Sequence, residues 1–199
     1  MNIDQFLENS VATHVLSVFI GFATSFFFWW LLNHKWIPKV TFANELAKFE
    51  IDGEKIIYLS AFENSGKRDV LDVSVLTRIG IKNFRGAGGW IFFSIKTNAN
   101  QIPVLAPNRR ALVRVFDKRD GLEFVDPPPS GLRQELDKCS SLEDIFNICP
   151  EVTLQLHVFG YDKFSGARRH YDSPSYSKPD VRKGRYKGLL VVGSNSSEQ

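Results

Sequence analysis

The residues most able to do chemistry lie near the C-terminus. Between Lys163 and Lys187 there are eight basic side chains, Lys163, Arg168, Arg169, Lys178, Arg182, Lys183, Arg185 and Lys187, against only Asp172 and Asp180. Tyr161, Tyr171, Tyr176 and Tyr186 accompany them. Arg and Lys neutralise phosphates while aromatic rings stack on bases, which is how single strands are held without strong sequence reading. The expected ligand is therefore a nucleotide or short oligonucleotide. It would be held by Arg168, Arg169, Tyr171, Tyr176, Arg182, Lys183, Arg185 and Lys187. The same charges also suit a solvated face, or a surface drawn to anionic lipid.

Catalytic chemistry is not expected. The histidines are His14, His34, His157 and His170, and no G-x-S-x-G, H-E-x-x-H or C-x-x-C pattern occurs. Cys139 and Cys149 form no metal-ligand pattern with a nearby His, and suit either a disulfide or a reduced pair. The run FRGAGG from Phe84 to Gly89 lacks the Gly-Lys-Ser/Thr ending of a phosphate loop and reads as a hairpin loop. No catalytic residue, metal or cofactor is expected.

A third set of residues is apolar in context but not in kind. Ser10, His14, Ser17, Gly21 and Ser25 recur at spacings of four, three, four and four, which places them on one helical face. Small residues let helix backbones approach and hydroxyls bond across. An ionisable His within a span is costly in lipid and faces protein or water. The stripe thus suits a packing face or the lining of a central polar path, and both imply self-association.

These residues need elements to position them. The chain has 199 residues, 43% hydrophobic and 24% charged, with a net charge of +3, which allows one domain and a membrane anchor. No fixed-period repeat is visible, and Gly and Pro are too few for a fibrous chain. Val15 to Leu32 is 18 positions without a charge. From Val11 to Leu32 the length is about 33 Å at ~1.5 Å per residue, enough for a ~30 Å hydrocarbon layer. Trp29, Trp30 and Trp36 mark its headgroup end. Asp4 and Glu8 precede the span and bulky residues follow it, unlike a cleaved signal peptide. Lys35 and Lys39 follow it, so the N-terminus is expected outside and the remainder in the cytoplasm of an inner membrane. The expected organisation is an external tail (1–10), a transmembrane helix (11–33), a linker (34–40), a domain (41–193) and a disordered tail (194–199).

Beyond Pro38 the apolar period becomes two. Strands are expected at Ile56–Phe62, Leu71–Ile81, Trp90–Lys96, Ala111–Phe116 and Val152–Phe159, with a turn at Asn64–Gly66. Leu71, Val73, Val75, Ile79 and Ile81 should share one face, and Val152, Leu154, Leu156 and Val158 another. One short helix, Leu142 to Ile148, is expected between Ser141 and Pro150, and the prolines after Asp126 should stop a strand. Short strands with turns at roughly ten-residue spacing predict an immunoglobulin-like antiparallel sandwich, with a small barrel as the other option.

The C-terminal layout resembles the end of the cytoplasmic domain of inward-rectifier potassium channels. The matching residues are Gly160 and Asp162, Ser175 and Tyr176, Asp180 and Val181, and Gly184, Arg185 and Tyr186. That resemblance covers about thirty residues and implies an immunoglobulin-like sandwich assembled as a homotetramer. The chain departs from the family in having one span and no T-V-G-Y-G filter, so potassium selectivity is not implied. The layout of one span and a sensor domain is also similar to membrane effectors of the Hailong type in bacterial anti-phage defence. That similarity implies a nucleotide-gated pore and a nucleotidyltransferase partner. A membrane-anchored adaptor recruiting a protein through its sandwich is the competing expectation.

Overall fold

The computed structural model describes residues 3–51, 55–86, 88–117 and 122–193. The chain divides into two compact units, one ending at Ile37 and one beginning at Pro38.

The first unit is a single helix, α1 (Ile3–His34). Its stretch Val11–His34 is the one helix among the described residues long and apolar enough to cross a membrane, and none of it is buried in the protein. The final turn is satisfied locally: Asn33 Nδ2 donates to the Trp29 carbonyl at 2.8 Å, and the Lys35 amide to Leu31 at 3.0 Å. The Leu31 carbonyl is one of the last four, which have no partner within the helix. His34 stacks on Trp30 with ring centroids 5.6 Å apart.

The second unit is mostly strand. One sheet is built around β3 (Lys55–Asn64). Its one edge carries β1 (Val40–Phe42) and β2 (Leu46–Ile51) end to end, and its other edge carries β6 (Arg110–Asp117). A late strand, β10 (Val181–Lys183), adds to β2 in parallel, while every other described pairing is antiparallel. The second sheet uses β4 (Val70–Lys82), β5 (Trp90–Leu105), β7 (Phe124–Asp126), β8 (Val152–Asp162) and β9 (Arg168–Asp172) in the order β7-β5-β4-β8-β9. A ribbon of β11 (Arg185–Lys187) and β12 (Leu190–Val192) follows. Apolar side chains of both sheets enter one core, with Leu46, Tyr58, Phe62 and Val113 from the first and Ile79, Phe93, Leu154 and Leu156 from the second. Burying such a side chain contributes about 1.5–3 kcal/mol, so this shared core is what holds the two sheets to one fold.

β8 alternates as its sequence predicts, with Val152, Leu154, Leu156 and Val158 all buried. β4 does not keep one phase. Val70 is buried where Leu71 was expected, because Asp72 has φ 47° and the ladder to β8 slips between Leu71 and Ser74. An extra residue there moves the preceding side chains to the other face. Two short helices are described, not one. The prolines after Asp126 do end β7, but they lead directly into α2 (Ser130–Leu136), whose Leu132 and Leu136 enter the core four residues apart. Proline's fixed φ suits the entry to a helix. α3 (Leu142–Phe146) starts at Ser141, whose Oγ accepts from the Asp144 amide at 3.1 Å, and stops short of Ile148. It is tied to the first sheet by Glu143, which accepts from Lys48 Nζ at 2.6 Å and from the Tyr58 hydroxyl. Burial opposes ionisation of Glu143, but those hydrogen bonds from Lys48 and Tyr58 outweigh it and hold the carboxyl below its usual range.

Candidate functional site

The C-terminal cationic residues are spread over three elements. Arg168, Arg169 and Tyr171 lie on β9, the edge of the second sheet. Arg168 is exposed, whereas Tyr171 is half-buried and donates its hydroxyl to the Pro38 carbonyl at 3.2 Å. Arg182 and Lys183 are on β10, at the edge of the first sheet, and are already paired: Arg182 Nε with Glu45 at 3.2 Å, Lys183 Nζ with Glu50 at 2.9 Å. Arg185 and Lys187 belong to the ribbon, where the Arg185 guanidinium lies 4.4 Å from the Phe49 ring centre.

Tyr176 corrects the stacking expectation most sharply. It is 0% exposed, and its hydroxyl donates to the Ala43 carbonyl at 2.6 Å. Burial pushes its hydroxyl pKa up, and neither face of the ring is open to a base. Tyr186 is likewise turned inward, donating to the carbonyls of Glu45 and Leu59. These tyrosines pin late segments of the chain onto early ones.

Cationic groups do converge elsewhere. The β3–β4 turn and the β8–β9 turn meet around an open cleft of about 410 Å³ lined by Lys67, Arg68, Asp69, Lys163 and Phe164. Asn64, fully buried, fixes the first turn: its Oδ1 accepts from the Gly66 amide at 3.0 Å, and its Nδ2 donates to the carbonyls of Arg68 and Leu105. Asp162 fixes the second, accepting from the Phe164 amide at 3.1 Å and the Ser165 hydroxyl at 2.8 Å. The two turns are then joined by Arg68 to Asp162 at 3.2 Å and by Lys163 to Asp69 at 2.8 Å. The Arg68 guanidinium sits 4.2 Å from the centre of the Phe164 ring, which is 63% exposed. Lys67 is exposed beside them. Arg68 covers one face of that ring and, like Lys163, is already paired with a carboxylate, so Lys67 and the ring's other face are what the cleft offers a ligand. Lys163 is the lining cation that belongs to the C-terminal basic run, with Phe164 beside it. Lys67, Arg68 and Asp69 come from a loop nearly a hundred residues earlier, which linear charge counting could not link to it.

A second constellation was missed by the sequence reading. β8 and β9 pair with His157 opposite Asp172 and Phe159 opposite His170. His157 Nδ1 lies 2.5 Å from Asp172 Oδ1 and 3.1 Å from His170 Nε2, and His170 Nε2 lies 2.8 Å from the same oxygen. The His170 ring stacks on Phe159 with centroids 4.5 Å apart. The available signal was the His-x-Asp spacing on a strand, which places His170 and Asp172 on one face.

On α1, His14, Ser17, Gly21 and Ser25 occupy an arc of about 80° at ~100° per residue, and Ser10 falls in the same arc. The Ser17 hydroxyl donates back to the Thr13 carbonyl at 2.8 Å, and nothing lies within 4 Å of where a Cβ on Gly21 would stand. The Ser10 side chain and the tail 194–199 lie outside the described residues.

No protein-family model matches the sequence, and no curated protein is similar to it. Neither comparison links the chain to inward rectifiers or to Hailong-type effectors.

Proposed function

We propose that the chain is a homo-oligomeric, single-span membrane effector. In this reading its helices gather with Ser10, His14, Ser17, Gly21 and Ser25 facing one another. They form an ion-conducting or membrane-disrupting path. The β-rich unit, an immunoglobulin-like sandwich on the cytoplasmic side of an inner membrane, regulates that path through a bound nucleotide or short oligonucleotide. The observation that carries the reading is the stripe itself: within the apolar stretch Val11–Leu32, His14, Ser17, Gly21 and Ser25 share one arc, with Thr13 and Thr24 beside it. A lone anchor surrounded by lipid has no use for such an arc. A homotetramer, a role in anti-phage defence and a nucleotidyltransferase as the ligand's source follow from the resemblances alone.

Depolarisation is the direct test. Overproduction without the ligand should collapse the membrane potential, read with a potential-sensitive dye, and particle mass in detergent should correspond to a closed assembly. Gly21→Leu should remove the depolarisation, whereas Phe26→Leu, away from the stripe, should leave it. Equal depolarisation by parent and both variants would mean that the stripe is not the path. Absence of depolarisation by the parent would instead favour the adaptor reading. Its own support is the exposed Trp90–Phe92 stack on β5, with centroids 5.7 Å apart.

For the ligand, the cleft is a better seat than the dispersed C-terminal set. Lys67→Glu should weaken binding of a fluorescein-labelled oligonucleotide about tenfold and lower the salt slope by about one. Arg185→Glu should change little. Arg185 lies over Phe49, which pairs with Ile57, seven residues along β3 from Asn64, or about 23 Å at ~3.3 Å per residue. If Arg185→Glu abolishes binding and Lys67→Glu does not, the ribbon is the site.

A further inference from the structure

The geometry points to a metal site on the outer face of β8 and β9, in which His157 Nδ1, His170 Nε2 and a carboxylate oxygen of Asp172 bind one late first-row divalent ion of the zinc type.

The three donor atoms converge because of strand register. His157 and Asp172 are directly opposite across the ladder, and His170 is two residues before Asp172 on the same face. Their separations are 2.5, 2.8 and 3.1 Å. A tetrahedral ion with bonds of about 2.0–2.2 Å holds its ligand atoms roughly 3.3 Å apart. Each edge of the triangle therefore opens by less than about 1 Å to admit the ion. His170 and Asp172 are 45% and 50% exposed, so their side chains have the freedom to move that far.

Hydrogen bonding alone serves this trio poorly. Both imidazole nitrogens approach the same Asp172 oxygen while standing 3.1 Å from each other. If both carry protons, two N–H groups crowd one acceptor with their positive ends together. If only one does, the other nitrogen's lone pair faces the carboxylate. A cation at the centre satisfies all three at once.

Two imidazoles and one carboxylate are the donor set of zinc-type ions, and a hard cation such as Mg²⁺ would prefer all-oxygen ligands. The Phe159 ring backs His170, and the open side faces solvent. Three protein ligands leave a position for water or an anionic group, as in sites that act on a ligand.

The test uses the full-length protein in detergent, without a histidine tag, stripped with chelator and titrated with Co²⁺ and then Zn²⁺. One equivalent of Co²⁺ should produce the intense visible bands of a low-coordinate site, and Zn²⁺ should displace it. Loss of an outer-shell partner alone costs 10–100-fold in metal affinity, so His170→Ala and Asp172→Asn should each weaken binding by more than about a hundredfold. Both residues are exposed, and circular dichroism of the metal-free variants should match the parent. His34→Ala should bind as the parent does. Absence of saturable binding by the parent, or unchanged binding in both site variants, overturns the proposal. Loss of binding in His34→Ala does so too, by placing the ion elsewhere.

Discussion

Asp162→Ala should lower the unfolding free energy of the β-rich unit by about 3 kcal/mol at pH 7, measured by urea denaturation followed in the near-ultraviolet. The carboxylate is 1% exposed and serves three donors, the Phe164 amide, the Ser165 hydroxyl and the Arg68 guanidinium. Removing it takes the opposite charge away from an Arg side chain that is itself only 11% exposed. Burial works to raise the carboxyl's pKa, but Ser165, the Phe164 amide and Arg68 together hold it below the usual range. A group depressed in the native state contributes its full stability above its unfolded value of about 3.9, and loses it as pH falls through the native value. The gap between parent and Asp162→Asn should therefore be wider at pH 7 than at pH 3, and go on closing as pH falls further. A gap that stays constant between those values would mean that charge is not what Asp162 supplies.

Gly160→Val should be comparably damaging, at about 3 kcal/mol, the upper end of overpacking in a filled core. A Cβ at this position of β8 would stand 2.3 Å from Val70 Cγ1 and 3.1 Å from the Leu71 carbonyl oxygen. Val70 is fully buried and Leu71 contributes backbone, so neither steps aside cheaply. Gly131→Ala is the control. Its Cβ meets only the far end of Arg85 at 3.5 Å, and a helical Gly replaced by Ala gains about 0.5–1 kcal/mol. If Gly160→Val unfolds at the parent's midpoint, β8 and β4 do not approach as described.

What the sequence made legible follows from how local each signal is. The long helix was plain because no residue from Val15 to Leu32 carries a charge. β8 was plain because its alternation is unbroken from Val152 to Val158. β4 was half legible, since one residue at positive φ, Asp72, reverses the phase of what precedes it. α2 was hidden behind three prolines that read equally well as an extended link, and its two core leucines are too few to show a period. The short strands β10 to β12 carry almost no pattern of their own, and exist because β2 and the ribbon partner them.

The sites were less legible than the fold for the same reason. Charge along the chain suggested one basic surface, but strand pairing sends Arg168 to one sheet edge, Arg182 to the other and Arg185 to the ribbon. The cleft joins Lys67 and Arg68 to Lys163 across nearly a hundred residues, through the antiparallel contact of β4 with β8. His157, His170 and Asp172 meet only because the β8–β9 register sets them opposite one another. No motif search detects a constellation created by register.

The late tyrosines and β10 set a schedule for how this molecule is made. Tyr171 bonds to Pro38, Tyr176 to Ala43 and Tyr186 to Glu45, and Val181 pairs with Leu46. The first strands of the unit are thus completed by residues that leave the ribosome more than 130 positions later. At about 5–20 residues per second this is a wait on the order of ten seconds or more. Over that interval β2 has an open edge and Ala43 an unanswered carbonyl, while α1 has long since emerged. Contacts of such sequence separation also fold slowly once the chain is whole. A nascent chain stopped before Tyr171 would carry a finished α1 and an unclosed sheet, a substrate for chaperones and proteases.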